Sequence, residues 1–537
     1  MRTPVLSLRE ELKSLQFWSL ELCVALGVAL GAPVLRSIAG ALTSRDAIRM
    51  GIPAALALAV TVFAAPRTNR NYYDEQIYQS IGQNLADLRL AQMCNEGNVE
   101  YGRLQCFGGE YNKQPYAFPH LLSIAYRLSG AHASTAFVLN AMAMTLSVCA
   151  VYILVLLLFE DRVAAFFSAL LLSLTPQQIL WSATAAVEPS SALACLVAVV
   201  CAVHFARSTT IGALAALGVA SAYAVQFRPE SLLILPVLLF LLWNRREEFS
   251  KPRFWWVVLL TLVLLAVHVG HMIAVRNEGW GTTDARLSVR YLALNLANNG
   301  WFYVADWRFP AAYSLLAVLG ITFGERRHAR LAIGLWFLMF FGIFLLFYAG
   351  SYNYGADVRY SLLTYPPIAV LGGLGASRLV GWLARAGCTR PFAAVTAGVV
   401  FQFLWYVPLV RATTEEAWAA RADVRFAESA ARELRGNTYV LTHNPGMFHV
   451  WGVNAGQMSR IVIDPGYLAA LSRRYSGGVY LHWNFWCNVQ DAVQQEFCQK
   501  ALAAGPFELV RDYRERDERV AFYRLALPPQ RNDKTTQ

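Results

Sequence analysis

The chain has 537 residues, of which 56% are hydrophobic and only 15% are charged. A soluble domain carries charge on about a quarter of its residues, so this composition excludes an ordinary soluble protein. The net charge of +11 is no nucleic-acid signal, because many arginines lie in short connections between apolar segments. We expect a polytopic α-helical membrane protein with no nucleic acid among its partners.

The first residues, MRTPVLSLREELKSLQFW, lack a short apolar region followed by a small-residue cleavage site, so we expect no cleavable signal peptide. Apolar segments then predict about 11–12 spans. They lie near residues 17–40, 50–65, 133–158, 163–181, 189–206, 211–226, 231–243, 254–275, 310–323, 331–349, 361–383 and 391–409. For 17–40, length favours a crossing, whereas the basic residues before it favour a re-entrant or interfacial helix.

Loops rich in arginine alternate with loops of other composition. The basic loops hold Arg162, Arg207 and the segments 244–253, 325–330 and 385–390. The positive-inside rule places these in the cytoplasm. The non-cytoplasmic set is then 66–132, 182–188, 227–230, 276–309, 350–360 and everything after residue 410. The pattern predicts a multi-pass inner-membrane protein with these loops and its tail on the periplasmic or extracellular side.

The tail after residue 410 is polar and mixes two kinds of pattern. AWAARADVRFAESAARELRG and QDAVQQEFCQKALAA are typical of helices, whereas TYVLT, RIVID and ERVAFYRLAL are typical of strands. We therefore predict a membrane domain over 1–410, containing the loop 66–132, and a small extramembrane α/β domain over 411–537.

Four of the nine cysteines fall in the predicted non-cytoplasmic regions: Cys94, Cys106, Cys487 and Cys498. An oxidising compartment and short spacing predict the disulfides Cys94–Cys106 and Cys487–Cys498, with free thiols as the alternative. The other five fit small apolar packing residues.

Asn71-Tyr72-Tyr73-Asp74-Glu75 follows the span at 50–65. An acid at a membrane surface can act as a general base toward a hydroxyl. Two adjacent carboxylates could also hold a divalent cation. The simpler alternative is a solvated loop. Adjacent side chains point apart, so only one of Asp74 and Glu75 should face a substrate.

Charged residues recur at the same ends of later spans. Lys113, among aromatics and prolines, could meet a phosphate or simply reach the interface. Glu188 precedes a proline, and Arg228 and Glu230 flank another; they could bind a substrate or form structural pairs. Arg359, beside Tyr360, could bind a phosphate or pair with Asp357.

The ordered set resembles the GT-C superfamily of integral-membrane glycosyltransferases, nearest to the protein O-mannosyltransferase and aminoarabinose lipid A transferase branch. Its elements are an acidic pair, Lys113-Gln114-Pro115-Tyr116, Val187-Glu188-Pro189, Arg228-Pro229-Glu230, and Arg359-Tyr360 before Pro366-Pro367. They span about residues 50–385. Residue 114 departs from the family, where this element commonly reads K-P-P. The W-W-D signature of oligosaccharyltransferases is absent from the sequence.

The resemblance implies a polyprenyl monophosphate sugar donor, inversion at the anomeric carbon, and a glycan, lipid or protein acceptor. Asp74 would be the catalytic base with Glu75 beside it, and Lys113 and Arg359 would contact the donor phosphate. Arg228 is a further phosphate candidate, and Tyr73, Glu188, Glu230 and Tyr360 complete the predicted site. No cofactor is implied beyond a divalent cation that the acid pair could hold.

Two other classes of function stay open at this stage. A transporter or flippase of lipid-linked sugars would place paired charges within spans and show repeated halves, whereas these charges cluster at span ends. A non-enzymatic envelope-assembly protein would leave the acidic pair without a role. The stretches HNPGMFHVWG and YLHWNFWC in the tail have no assigned role.

Overall fold

The computed structural model describes residues 4–71, 73–278, 285–353, 357–412, 418–434, 436–489, 491–516 and 518–526. Tyr72 and residues 354–356 of the quoted motifs lie outside this part of the chain. The α-helices are α1 Pro4–Ala41, α2 Ser44–Phe63, α3 Asp74–Leu88, α4 Ala117–Ser129, α5 Ser134–Phe159, α6 Arg162–Ser173, α7 Pro176–Ser182, α8 Glu188–Ser208, α9 Ile211–Val225, α10 Ile234–Leu242, α11 Pro252–Ala274, α12 Leu292–Val304, α13 Ala311–Thr322, α14 Arg327–Leu346, α15 Tyr365–Arg385, α16 Pro391–Ala412, α17 Trp418–Glu433, α18 Gly446–His449, α19 Ser459–Ile463, α20 Pro465–Arg474 and α21 Ala492–Ala503.

The strands are β1 Met93–Glu100, β2 Arg103–Glu110, β3 Thr438–Thr442, β4 Asn454–Gln457, β5 Gly478–Trp483, β6 Phe507–Glu515 and β7 Glu518–Leu525. The chain divides into two compact units. The first comprises Met1–Arg70, Pro115–His120 and Ala136–Glu416. The second comprises Asn71–Gln114, Leu121–Thr135 and Ala417–Gln537, each within its described residues.

In the part of the chain that the structure describes, eight helices are long and apolar enough to cross a membrane, which agrees with the predicted multi-pass architecture. They are Leu8–Ala41, Ser44–Phe63, Ser134–Phe159, Glu188–Ser208, Pro252–Ala274, Arg327–Leu346, Val358–Arg385 and Pro391–Pro408. The ambiguous segment 17–40 lies within the first of these, as part of a continuous helix. Its length is therefore sufficient for a crossing.

The remaining predicted spans are helical but short or bent. The segment 163–181 consists of α6 and α7, which meet at 59°. The bend falls at Thr175-Pro176, because a proline cannot continue the helical hydrogen-bond ladder and restricts the residue before it. Helices α9 and α13 are shorter apolar helices, and 231–243 starts as a 3₁₀ turn before the nine-residue α10.

Glycines allow close helix contacts in the first unit. A Cβ added at Gly320 of α13 would lie 1.8 Å from the Leu371 carbonyl oxygen of α15, and one at Gly375 would lie 1.9 Å from the Leu316 oxygen. Backbone therefore meets backbone between these helices, a close approach that only small residues permit.

The second unit contains a seven-stranded sheet in the order β2-β1-β4-β3-β5-β7-β6. Strands β4, β3 and β5 are parallel, and the strands outside them are antiparallel. Alternate residues of β3 enter different cores: Leu441 packs with α20 and α21, whereas Val440 packs with α17 and α18. The result is a sheet covered by helices on both faces, and the tail contains the mixture of helices and strands predicted for it.

Three features of this unit differ from the sequence predictions. The loop 66–132 is not an appendage of the membrane domain alone, because its hairpin β1–β2 joins the sheet by pairing Glu96 and Gly97 with Gly456 and Ala455 of β4. The stretch RIVID forms helix α19 rather than a strand; its apolar run is too short for periodicity to separate the two. The first part of the loop forms α3.

Both predicted disulfides are confirmed, Cys94–Cys106 within the β-hairpin and Cys487–Cys498 between the end of β5 and α21. The remaining cysteines are free. Cys23, Cys195 and Cys201 are buried, and Cys149 and Cys388 are partly buried.

Candidate active site

The acidic pair begins helix α3 in the second unit. Tyr73 precedes it with φ of 67°, a backbone conformation that is uncommon for a bulky residue and costs energy. Asp74 is half-buried, whereas Glu75 is fully buried at 0% exposure. The two neighbours therefore differ in access, as expected when adjacent side chains point apart.

Both carboxylate oxygens of Asp74 accept a hydrogen bond from a neutral amide. Gln114 Nε2 donates to Oδ1 at 2.9 Å, and Asn71 Nδ2 donates to Oδ2. Gln114 is in turn held by Tyr78, whose hydroxyl donates to Gln114 Oε1 at 3.2 Å. These two contacts fix the orientation of the Asp74 carboxylate.

Glu75 also contributes to the orientation of Asp74, through Asn71. Its Oε1 accepts a hydrogen bond from the backbone N–H of Asn71 at 2.8 Å. Because Asn71 also binds Asp74, the buried carboxylate of Glu75 fixes the residue that orients Asp74. Lys113 directly precedes Gln114 and is half-buried. The second unit thus contains Tyr73, Asp74, Glu75 and Lys113 from the predicted site.

Arg228, Glu188, Glu230, Arg359 and Tyr360 lie together in the first unit. The Arg228 guanidinium donates to both Glu188 and Glu230. Arg359 Nε lies 3.3 Å from the same Glu188 oxygen. The side chain of Glu188 is only 1% exposed. Two arginines and two carboxylates therefore form a nearly dry cluster whose formal charges cancel.

Tyr360 lies against both arginines of this cluster. Each guanidinium carbon lies 5.2 Å from the centre of the Tyr360 ring. The Tyr360 ring also stacks on Phe344, with the two ring centres 4.4 Å apart. Cation–π contacts are stronger where water is excluded. The Tyr360 ring therefore helps to hold both guanidinium groups in place. The structural pairing considered for Arg228 is thus present, and it includes both acids.

Several polar residues that were not predicted as site residues lie in the same two units as the predicted ones. Asn71 and Gln114 were quoted only as parts of motifs, although the departure at residue 114 marks a position with its own role. In the first unit, Asp306 and Arg308 form a buried pair at 2.6 Å, and Arg308 also donates to the Tyr352 carbonyl at 3.1 Å. A buried ion pair two residues apart has no distinctive sequence pattern.

One group of potential metal ligands is found in the described part of the chain. The ligand atoms of His443, Cys487 and Cys498 lie within 4.8 Å of one another. Both sulfurs belong to a disulfide and are not thiolates, the form that binds metal. This group therefore does not fit a metal centre in its oxidised state.

Residues 113–271 match the family model of dolichyl-phosphate-mannose-protein mannosyltransferases. The structure of ArnT from Cupriavidus metallidurans bound to undecaprenyl phosphate is similar, with a TM-score of 0.57 and 14% identity over 88% of this chain and 97% of that one. The archaeal oligosaccharyltransferase AglB from Archaeoglobus fulgidus, in complex with an inhibitory peptide and a dolichol-phosphate, gives a TM-score of 0.50 and 12% identity over 89% and 74%.

The protein has the GT-C glycosyltransferase fold. This confirms the predicted architecture, and none of the curated proteins matches the sequence. The family match begins at Lys113 and includes Glu188, Arg228 and Glu230, whereas Asp74 and Arg359 lie outside it. The fold likeness thus covers 88% of the chain for ArnT, whereas the family model matches residues 113–271.

Proposed function

We propose that this GT-C protein is an inverting glycosyltransferase that moves a sugar from a polyprenyl-phosphate donor to a glycan, lipid or protein acceptor. The observation that carries the proposal is the fold likeness to ArnT over 97% of that chain. That structure holds undecaprenyl phosphate, a lipid phosphate that fits the product of such a reaction. The match to the mannosyltransferase family over 113–271 supports the same class.

In the proposed reaction, an acceptor hydroxyl oxygen attacks the anomeric carbon of the donor sugar. The bond between that carbon and the phosphate oxygen breaks, and its electron pair leaves with the polyprenyl phosphate. The hydroxyl proton passes to the Asp74 carboxylate, which acts as the general base. A single displacement of this kind inverts the anomeric centre.

Asp74 suits the base better than Glu75 because of its surroundings. Asp74 is half-buried and is oriented by Gln114 and Asn71 through neutral donors. A base held in place in this way needs little reorganisation as it approaches the hydroxyl. Glu75 is fully buried and engaged with the Asn71 backbone, so we assign it a positioning role.

The developing charge on the phosphate requires cations. The contacts with the donor phosphate that the GT-C resemblance implies are Lys113 and Arg359, and we keep them as proposals with Arg228 as a further candidate. Arg228 donates to two carboxylates, so its main effect is to keep Glu188 and Glu230 neutralised next to Arg359. Tyr360 orders both guanidinium groups through its ring.

We also propose that the acidic pair and the tail lie on the non-cytoplasmic side of a bacterial inner membrane. Support comes from the two disulfides of the second unit, which persist in oxidising compartments. Single cysteines introduced at Glu100 and Arg246, in a background lacking the free cysteines, would test this with a membrane-impermeant thiol reagent. Labelling of the Arg246 site but not the Glu100 site in intact cells would contradict it.

The activity itself is tested with the purified full-length protein in detergent. Undecaprenyl phosphates carrying different hexoses and pentoses serve as donors, and the release of undecaprenyl phosphate is measured with and without envelope glycan extract. The proposal requires release that depends on Asp74. Equal release by the Asp74→Asn variant would contradict it. Adding EDTA to the same assay tests whether the acid pair holds a divalent cation.

A further inference from the structure

A cluster of ring side chains lies where β3 and β5 end. The chain after β3 runs through α18 on one face of the sheet, whereas the chain after β5 runs to α21 on the other face. Adjacent parallel strands whose connections leave to opposite faces open a crevice between their carboxyl ends, and open α/β sheets bind ligands there. His443 follows β3 at this point, and Asn484 to Trp486 follow β5.

Asn484 connects the groups around this crevice. Its Oδ1 accepts from the Trp486 backbone N–H at 3.0 Å and from the Tyr73 hydroxyl at 3.4 Å. Its amide nitrogen donates to His443 Nδ1 at 3.0 Å and to the His482 carbonyl at 3.2 Å. All hydrogen-bonding groups of the Asn484 side chain are occupied. Asn484 therefore positions the segments that carry Tyr73, His443 and Trp486, and we assign it no contact with a ligand.

Buried polar residues lie beneath Asn484. His482 Nε2 lies 2.9 Å from Asp423 Oδ1, and its Nδ1 lies 3.1 Å from the Thr442 hydroxyl. Both His482 and Asp423 are essentially inaccessible to solvent. On the other side, the disulfide Cys487–Cys498 ties the segment after β5 to α21. The surrounding structure thus holds Asn484 and its partners in one arrangement.

Tyr73, Trp486 and His443 are all half-buried. The ring centres of Tyr73 and Trp486 lie 5.6 Å apart. Tyr73 is the residue directly before Asp74, so the crevice borders the proposed base within the same unit. Burial lowers the pKa of His443 to about 4, so its ring is neutral near pH 7.

We propose that this crevice binds a saccharide, with Tyr73 and Trp486 as its stacking surface, and that the saccharide is the acceptor of the transferred sugar. The role as acceptor rests on the function proposed above. Sugar rings present apolar C–H faces and uncharged hydroxyls, which match aromatic faces flanked by a neutral histidine. The tail stretches HNPGMFHVWG and YLHWNFWC, which supply His443, Asn484 and Trp486, thereby gain a role.

A charged or peptide acceptor fits this lining less well. Phosphate groups are usually bound by arginine or lysine, whereas the described side-chain contacts of Asn484 are with two rings and two backbone groups. An extended peptide is usually bound at a free strand edge, whereas the crevice lies between two interior strands of the sheet. The lining therefore favours a saccharide, either free or as the headgroup of a lipid.

The test measures binding of the full-length protein in detergent to arrays of bacterial envelope oligosaccharides and of serine- and threonine-rich peptides. We compare the parent protein with Trp486→Ala, Trp486→Phe and the control Tyr101→Ala, an aromatic of the same unit that is fully exposed on the β1–β2 turn. Gel filtration and thermal unfolding confirm that each variant is folded.

We expect the parent to bind saccharides, Trp486→Ala to bind on the order of tenfold more weakly, and Trp486→Phe and Tyr101→Ala to stay within about threefold of the parent. Equal binding by Trp486→Ala and the parent would overturn the site. Binding to peptides alone, or to no saccharide, would overturn the ligand class. Release of undecaprenyl phosphate is measured separately: saccharide binding without release would refute the transferase and keep the binding site.

Discussion

The side-chain amide of Gln114 donates a hydrogen bond to Asp74 Oδ1 at 2.9 Å. The two residues are 40 positions apart, and Gln114 stands where related sequences commonly have proline. A proline has no amide to donate, so this chain orients its acid in a way that the common motif cannot. The residue that departs from the motif, Gln114, is therefore part of the candidate site.

Replacing Asp74 by Asn should remove the base while keeping its shape. General-base catalysis contributes about 10²–10⁴-fold, so we expect transfer to fall by that factor, with donor binding and thermal unfolding close to the parent. Glu75→Gln is the matched comparison, and its loss should be smaller because Glu75 is buried against Asn71. Normal turnover by Asp74→Asn together with an inactive Glu75→Gln would reverse the two assignments.

Replacing Gln114 by Ala should misorient Asp74 and lower kcat by roughly tenfold, because one of its two amide donors is lost. The KM for the donor should change little, since Gln114 is assigned no donor contact. Gln105→Ala, on the exposed side of β2, is the control and should behave like the parent. A Gln114→Ala enzyme with parent kcat would show that the hydrogen bond does not position the base.

Replacing Lys113 or Arg359 by Gln should weaken the binding of undecaprenyl phosphate. A hydrogen bond to a charged group is worth about 1.5–3 kcal/mol, which corresponds to a roughly 10–150-fold change in Kd. Equilibrium binding to the purified variants measures this, and Arg246→Gln, in an exposed loop, controls for the loss of charge. Parent-like affinity in both variants would mean that the phosphate site has been assigned to the wrong cations.

Arg228→Gln should act on stability more than on binding. It would leave Glu188 and Glu230 without their shared cation, and removing one member of a buried charge cluster costs about 3–5 kcal/mol. The exposed pair Arg207–Glu160 provides the comparison, since solvent-exposed ion pairs contribute little to stability. Thermal unfolding of Arg228→Gln and Arg207→Gln should therefore differ clearly. Similar unfolding midpoints for the two variants would show that the cluster of Arg228, Glu188 and Glu230 is well hydrated.

The second unit should lose stability in acid because of His449. This residue is buried and donates through Nε2 to the Ala455 carbonyl at 3.1 Å, and burial lowers its pKa from 6.5 to about 4. The unfolded chain therefore binds a proton at a higher pH than the folded chain. Stability is complete above pH 6.5 and falls as the pH drops toward 4, by on the order of 3 kcal/mol.

The variant His449→Gln isolates this contribution, because it keeps a donor for Ala455 and removes the titrating group. Its unfolding midpoint should shift less between pH 7.5 and pH 5 than that of the parent, although the buried His443 titrates in the same direction and remains in both proteins. Identical shifts in the two proteins would assign the acid sensitivity to other groups.

The sequence by itself determined the features that depend on neighbouring residues. Apolar length identified the membrane helices, the short spacing of Cys94 and Cys106 identified their disulfide, and the acids and arginines at segment ends marked the candidate site. The proline at residue 176 even marks the bend between α6 and α7. These signals are local, because span length, helix termination and short-loop closure are decided within a few turns of chain.

Only the tertiary structure decided which distant residues meet. It brought the β1–β2 hairpin to β4 across more than three hundred residues, joined Arg228 and Arg359 on one Glu188 oxygen, and set Asn484 against Tyr73. RIVID became helix α19 for the same reason, since its three-residue apolar run, Ile461–Ile463, is typical of either structure until packing selects one. Hydrogen bonds and ion pairs between distant segments have no local periodicity, so the folded chain alone defines them.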